Sequence, residues 1–362
     1  MQLFNTHITE QAVQNVEKVL RSGFLNQGKM VDELERQIAR RGIINPLTVN
    51  SCTSALHLAL ILSNAKGREV ILPSQTFIAT GLAVLMAGGI PVFADILSDG
   101  NIDPESMQKL ITDKTAAIIC VHWAGNPCNM KYINDICKQY THIKVIEDAA
   151  HAFGATYLTQ PMGAFADFCC FSFQSIKMLT CGDGGLLTCA NHDDYLQARK
   201  LRWFGIDKTT MEHDSSGCRI FDVTELGFKY HMNDLNAALT LGNLVNIDDR
   251  LDTRRSNYMT LGIPISKVDG IKVVPHKVGS SHWLFNCLVE RRDEFIKVMQ
   301  GRGIPASVVD KSIHHNSIFK TCRTDNLTNQ TYFDAHQVNL PIHEDLKPEE
   351  LQQIIKAVQD GW

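Results

Sequence analysis

Along the first half of the chain, short apolar runs alternate with segments whose apolar positions recur at helical spacing. Residues 47–50, 69–73, 91–96, 116–122 and 144–148 predict strands. Residues 53–65, 77–87, 104–111 and 129–140 predict the helices between them. Strands that are apolar on both faces and separated by helices predict a mostly parallel sheet covered on both sides, an α/β layer architecture. After Gly185 the pattern changes. Residues 193–201 predict a helix, 208–217 a polar loop, and 233–247 a second periodic helix running on into the charged 248–258. From about residue 261 onward a strand at 283–289 and helices at 292–301 and 347–359 predict a smaller α+β unit. The expected division is a large domain with an N-terminal arm over 1–250 and a small C-terminal domain over 251–362. No internal repeat interrupts this organisation.

Composition narrows the classes. With 362 residues, 44% hydrophobic and 20% charged, the chain can form a sizeable core. A net charge of -4 offers no positive field for nonspecific nucleic-acid binding. The 11 cysteines contain no CxxC pair, and the adjacent Cys169 and Cys170 fall in a predicted buried strand. That usage fits a reducing, cytoplasmic setting rather than a disulfide framework. The 14 histidines show no HExxH spacing, so no metal site is expected. Met1 leads into a polar segment, not a signal peptide. The one uncharged stretch long enough to span a bilayer, 70–94, is divided by Pro73, Gly88-Gly89 and Pro91 into strand, helix and strand.

The chemistry concentrates in four segments. The first is Phe171-Ser172-Phe173-Gln174-Ser175-Ile176-Lys177, running on to Thr180-Cys181-Gly182-Asp183-Gly184-Gly185. A lysine held at a strand end and partly desolvated loses preference for the charged form, and its neutral amine is a nucleophile. Such an amine holds an aldehyde cofactor as a Schiff base, and pyridoxal phosphate is the leading candidate. The alternative is an ordinary surface lysine. In the second segment, the strand 144–148 delivers Glu147-Asp148-Ala149-Ala150-His151. Asp148 could face a protonated pyridine nitrogen, or cap the next helix. Third, Asn50-Ser51-Cys52-Thr53-Ser54-Ala55 opens an Ala- and Leu-rich helix, whose free N–H groups favour a phosphate. Simple capping by Ser51 or Thr53 is the alternative. Ser172 could add a hydroxyl to the same anion. Fourth, Phe77 in Pro73-Ser74-Gln75-Thr76-Phe77 could stack on a flat ring or belong to the core.

Taken in order, Cys52 to Leu60, Pro73 to Phe77, Glu147 to Ala152 and Phe171 to Lys177 resemble the DegT/DnrJ/EryC1/StrS group. These are fold-type I, pyridoxal-phosphate-dependent sugar aminotransferases of the aspartate aminotransferase superfamily. The resemblance runs from Ser22-Gly23-Phe24 to Leu340-Pro341-Ile342-His343. It implies Lys177 as the covalent anchor and proton shuttle, Asp148 as partner of the ring nitrogen, and His151 beside the ring hydroxyl. Phe77 would stack on the ring. Cys52, Thr53 and Ser172 would cradle the phosphate, and Gln174 stands where the group usually has His.

The run Gly227-Phe228-Lys229-Tyr230-His231-Met232 is similar to the group's Gly-Tyr-Asn-Tyr-Arg-Met, which reaches the neighbouring subunit's cofactor. Lys229 and His231 would then serve a homodimer with shared sites. This run looks more like members acting at C4 of the sugar than at C3. Near the small domain, Val309-Asp310 stand where the group has His-Tyr, and His314 is retained as a substrate contact. The implied reaction is amination of a nucleotide-diphosphate-linked keto-deoxysugar with glutamate as donor, in amino-sugar and polysaccharide biosynthesis. A 3-keto sugar or cyclitol ketone, or a non-catalytic pyridoxal-phosphate-binding protein, are the alternatives. Related dehydratases replace the anchoring lysine with histidine, whereas Lys177 is present here.

Overall fold

The computed structural model describes residues 1–362. Strands β1 (Pro46–Val49), β2 (Glu69–Pro73), β3 (Ile90–Ala94), β4 (Thr115–Val121) and β5 (Lys144–Asp148) are followed by a minor pair, β6 (Thr156–Tyr157) and β7 (Gln160–Pro161). Next come β8 (Phe168–Ser172), β9 (Gly185–Cys189) and a second minor pair, β10 (Glu212–His213) and β11 (Arg219–Ile220). The C-terminal part adds β12 (Ile271–Val273), β13 (Phe285–Val289), β14 (Arg323–Thr324) and β15 (Gln337–Leu340). An eight-stranded sheet has the order β1-β9-β8-β5-β4-β2-β3-β14. Every neighbouring pair in it is parallel except those made by β9, which runs against both β1 and β8. The mostly parallel α/β sheet is therefore present.

Alternate residues of the strands feed two cores. Val70 and Leu72 join Phe93, Ile119 and Ile146 on one face, while Ile71 joins Val92, Ile118 and Val145 on the other. Each fully buried Leu, Ile or Phe contributes about 1.5–3 kcal/mol. This two-sided burial is why the strands read as unbroken apolar runs.

Helices α1 (Glu10–Ser22) and α2 (Lys29–Arg40) form the N-terminal part. They are followed by α3 (Cys52–Leu62), α4 (Ile78–Met86), α5 (Pro104–Leu110), α6 (Met130–Cys137) and α7 (His192–Leu201). The uncharged stretch 70–94 is indeed β2, α4 and β3. No helix is long and apolar enough to cross a membrane. The long helix expected over 233–258 is broken into α8 (Asp234–Leu244) and α9 (Ile247–Ile265). Asp248 and Asp249 fall in the first turn of α9, where carboxylates suit the positive end of a helix dipole. Asp234 also caps α2 from a distance: its Oδ1 accepts the N–H groups of Gly28 (2.8 Å) and Val31 (3.1 Å). The N-cap position of α2 is glycine and has no side chain of its own to do so.

The C-terminal part carries the antiparallel sheet β12-β13-β15 with α10 (Arg292–Gly301), α11 (Thr328–His336) and α12 (Pro348–Gln359). Phe285, Val289, Phe295, Met299, Ile354 and Val358 share a separate core. Helix α9 carries the chain across residue 250, and β14 returns to pair with β3 of the large sheet.

Candidate active site

Ligands of parallel α/β sheets bind beyond the carboxyl ends of the strands. A cavity of about 530 Å³ opens there, fronted by Val121, Asp148 and Ser172, the last residues of β4, β5 and β8. Cys52, Thr53, Phe77, Asp148, His151, Ser172, Gln174 and Lys177, all singled out in the sequence, line it together. Lys229, His231 and His314 do not line it.

Lys177 follows β8 in a turn closed by its own N–H donating to the Gln174 carbonyl (2.9 Å). Its Nζ lies 3.8 Å from the Trp283 ring centre. Removal from water disfavours the ammonium and lowers its pKa to about 8, against the pull of Asp310, Cys52 and Asp148. Asp148 is buried, and burial raises its pKa. Opposing that rise, Thr80 Oγ1 donates to its Oδ2 (2.8 Å) and the Ala150 N–H to its Oδ1 (3.1 Å). Thr80 itself is tied to Thr76 Oγ1 at 2.7 Å. The arrangement keeps a carboxylate aimed into the cavity and supplied with donors.

At the other end is the N-terminus of α3. Ser51 caps it, accepting the Ser54 N–H (3.1 Å). The N–H groups of Cys52 and Thr53, in the first turn, have no intrahelical acceptor and front the cavity. Ser172 stands beside them. Gly185 lets β9 approach this turn: a Cβ there would lie 2.6 Å from the Cys52 nitrogen. The Cys52 thiol is pushed well up, by burial first and then by Asp148, so it is a neutral wall group and not a nucleophile.

His151 is buried and stacked on Trp283, ring centres 3.7 Å apart and planes 19° apart. Its pKa falls well below the ordinary value through burial and then the Lys177 charge, so it is neutral. Its Nδ1 has no partner in the chain. Phe77, 58% exposed, presents its ring at the cavity rim. Gln174 is largely engaged locally, accepting the Ile176 N–H (3.0 Å) and donating to Ser175 Oγ (3.0 Å).

Thr80, Trp283 and Asp310 also line the cavity, and none of the three was expected there from the sequence. Thr80 had a signal, one helical turn after Thr76 on the element that carries Phe77. Trp283 had none, because only the fold brings the C-terminal part to Lys177, whereas Asp310 stood out in the sequence only as a departure from the group's His-Tyr. Beyond the cavity, His231 Nε2 bonds Asn26 Oδ1 (2.8 Å). Burial, followed by the charges of Lys208, Arg202 and Lys229, lowers the His231 pKa to about 4. Lys229 is exposed, and its carbonyl accepts from Asn50 Nδ2 (3.3 Å). His314 Nδ1 is 2.7 Å from Ser74 Oγ.

The donor set suits a phosphate-bearing aldehyde with a basic ring nitrogen. Free helix N–H groups and a hydroxyl stand at one end, a carboxylate faces the middle, an amine of lowered pKa lies beside it, and an unpartnered imidazole nitrogen adjoins them.

Comparisons with known proteins agree with this geometry. The profile of the DegT/DnrJ/EryC1/StrS aminotransferase family matches residues 6–359. The chain is 29% identical over 373 residues to the UDP-4-amino-4-deoxy-L-arabinose–oxoglutarate aminotransferase of Shewanella sediminis, covering 98% of this chain and 96% of that protein. The crystal structure of AtS13 from Actinomadura melliaura superposes with a TM-score of 0.94 at 33% identity, covering 100% of this chain and 99% of that one. Spr1654 from Streptococcus pneumoniae, in its PLP-form, gives 0.90 at 28% identity over 99% and 98% of the two chains. The chain belongs to the DegT/DnrJ/EryC1/StrS aminotransferase family.

Proposed function

We propose that this aminotransferase uses pyridoxal phosphate to transfer an amino group from glutamate to a keto-deoxysugar carried on a nucleotide diphosphate, at C4 of the sugar. The observation that carries the reading is the pairing of Lys177, its pKa lowered to about 8, with the buried, hydrogen-bonded Asp148 in one cavity. The names of the relatives support the finer points. The Shewanella protein acts on a 4-amino UDP-sugar with oxoglutarate, the keto acid of glutamate, and the pneumococcal structure is a PLP-form.

When bound, the cofactor supplies an electron sink that makes the donor's α-proton removable. The chain's own residues do the rest. Lys177 Nζ would hold the aldehyde and would take the proton from the donor's Cα as a base working near its own pKa. Asp148, held by the Thr80 and Ala150 donors, would pair with the ring nitrogen. The Cys52 and Thr53 N–H groups with Ser172 would hold the phosphate, and Phe77 would cover the ring face.

Lys177 is the only lysine or arginine lining the cavity, yet both substrates are anionic. We assign Lys229 and His231 to the cavity of a second copy in a homodimer, where the ammonium of Lys229 meets the phosphate.

Borohydride reduction of the chain loaded with pyridoxal phosphate, followed by peptide mapping, should label Lys177. A label on another lysine would sink the assignment. A panel of nucleotide-linked 4-keto and 3-keto deoxysugars with glutamate as donor should show turnover of the 4-keto members. Preferential turnover of the 3-keto members would move the reaction to C3.

A further inference from the structure

Asp310 enters the cavity from the segment joining α10 to the residues around His314. Its backbone is held firmly. Ser307, three residues earlier, exchanges two hydrogen bonds with the backbone of Asn339 in β15, at 3.2 and 2.8 Å. The Asp310 carbonyl accepts from Gln337 Nε2 (3.0 Å) and Gln75 Nε2 (3.3 Å), and Gln330 Nε2 donates to Gln75 Oε1 (3.0 Å). All three glutamines are fully buried. A network of buried amides thus fixes the main chain at Asp310 while leaving its side chain free.

That side chain has no hydrogen-bond donor within the chain. Burial raises its pKa, and the one charge opposing the rise is that of Lys177. Asp310 is in turn the strongest counter-charge on Lys177. A carboxylate in a partly dry wall is costly unless a donor reaches it. Lys177 meets that need only until its amine is used in chemistry, and a ligand filling the cavity removes the water that could replace it. The remaining donors must come from the ligand. The same wall repels carboxylates and diphosphates, so the part of a substrate that fits against it is neutral and rich in O–H groups.

We propose that Asp310 accepts hydrogen bonds from ring hydroxyls of the acceptor sugar and sets which keto sugar the cavity takes, a role that rests on the aminotransferase reading above. It is a specificity residue for one half of the reaction. The amino donor, with its own carboxylates, gains nothing from Asp310.

The two half-reactions separate the outcomes. Rapid-mixing spectroscopy of the loaded D310N and D310A variants with glutamate alone should show the donor half-reaction retained, its rate profile displaced to lower pH by loss of the Lys177 counter-charge. With the nucleotide-linked keto sugar, KM should rise ~10- to 100-fold in D310A, the effect expected for a hydrogen bond to a charged group, with a smaller change in kcat. Calorimetric affinity for the amino-sugar product should fall in the same proportion. An acceptor analogue lacking the contacted hydroxyl should lose that factor with the unaltered chain and lose nothing with D310A. Unchanged acceptor KM in both variants would overturn the proposal. So would an equal loss in both half-reactions by D310N, the near-isosteric change, because that marks a merely structural role. Failure of the unaltered chain to react with any amino donor would overturn the aminotransferase reading itself, and Asp310's role with it.

Discussion

At the scale of single residues, Lys177 and Asp148 are displaced from their ordinary titration by the same cause, loss of water, with opposite consequences. For Lys177 the neutral amine becomes accessible near pH 8 instead of 10.5. Capture of pyridoxal phosphate by the apo chain, followed by absorbance, should therefore rise with pH through about 8. A midpoint near 10.5 would show a solvated amine. Because Asp310 favours the ammonium, D310N should move that midpoint down. For Asp148 the charged form depends on donors. Thr80→Val removes one and lets burial push the carboxyl pKa further up. The acid limb of the kcat profile should then move to higher pH. An unmoved limb would show that Thr80 merely packs. The sequence showed Lys177 and Asp148 because one follows and the other ends a strand, each among small or acidic neighbours. It did not show what surrounds them, since Trp283 is more than 100 positions from either.

At the scale of elements, strands buried on both faces were legible because their apolar runs are short and bounded by Gly, Pro and polar residues. Helix α1 was not read at all: of its 13 residues only Ala12 and Val19 are buried, too thin a stripe to stand out. Its packing partner explains the burial of Ala12. Gly242 of α8 brings the helices so close that a Cβ there would lie 2.1 Å from the Ala12 Cα. The break between α8 and α9 was missed because apolar spacing continues across it. Eight residues of the candidate site were legible because they belong to short segments flanking strand ends. Close backbone approach at Gly185 carries a prediction at this scale. A Cβ there meets backbone atoms of Ser51, Cys52 and Phe171 at 2.6 to 2.8 Å, so Gly185→Ala must push α3 away from β9. Overpacking of this kind costs about 1–3 kcal/mol. Thermal melting should fall by a few degrees, and affinity for pyridoxal phosphate should drop more than that for pyridoxal. Equal loss for both ligands would separate the α3 turn from the phosphate.

At the scale of the whole molecule, the cavity is assembled from the N-terminal Leu3 and Phe4, the large sheet and the C-terminal Trp283 and Ser307–Asp310. With one lysine and no arginine in its wall, it has little positive charge of its own for anionic substrates. If Lys229 serves a second copy, K177A and K229A chains, each inactive alone, should regain activity when mixed and refolded together, up to about one intact site in four. No recovery would mean that each chain completes its own site. The return of the chain to the large sheet at β14 has a further consequence. Arg323 and Thr324 pair with Val92 and Phe93 of β3, and so cover a rim that would otherwise present unsatisfied N–H and C=O groups beside Ile, Val and Phe side chains. Such a rim is a template for stacking other molecules. A fragment ending at residue 250 would keep most of the catalytic groups but expose that rim, and should self-associate into insoluble material. Two residues late in the chain thus cover the edge of a sheet built almost entirely before them.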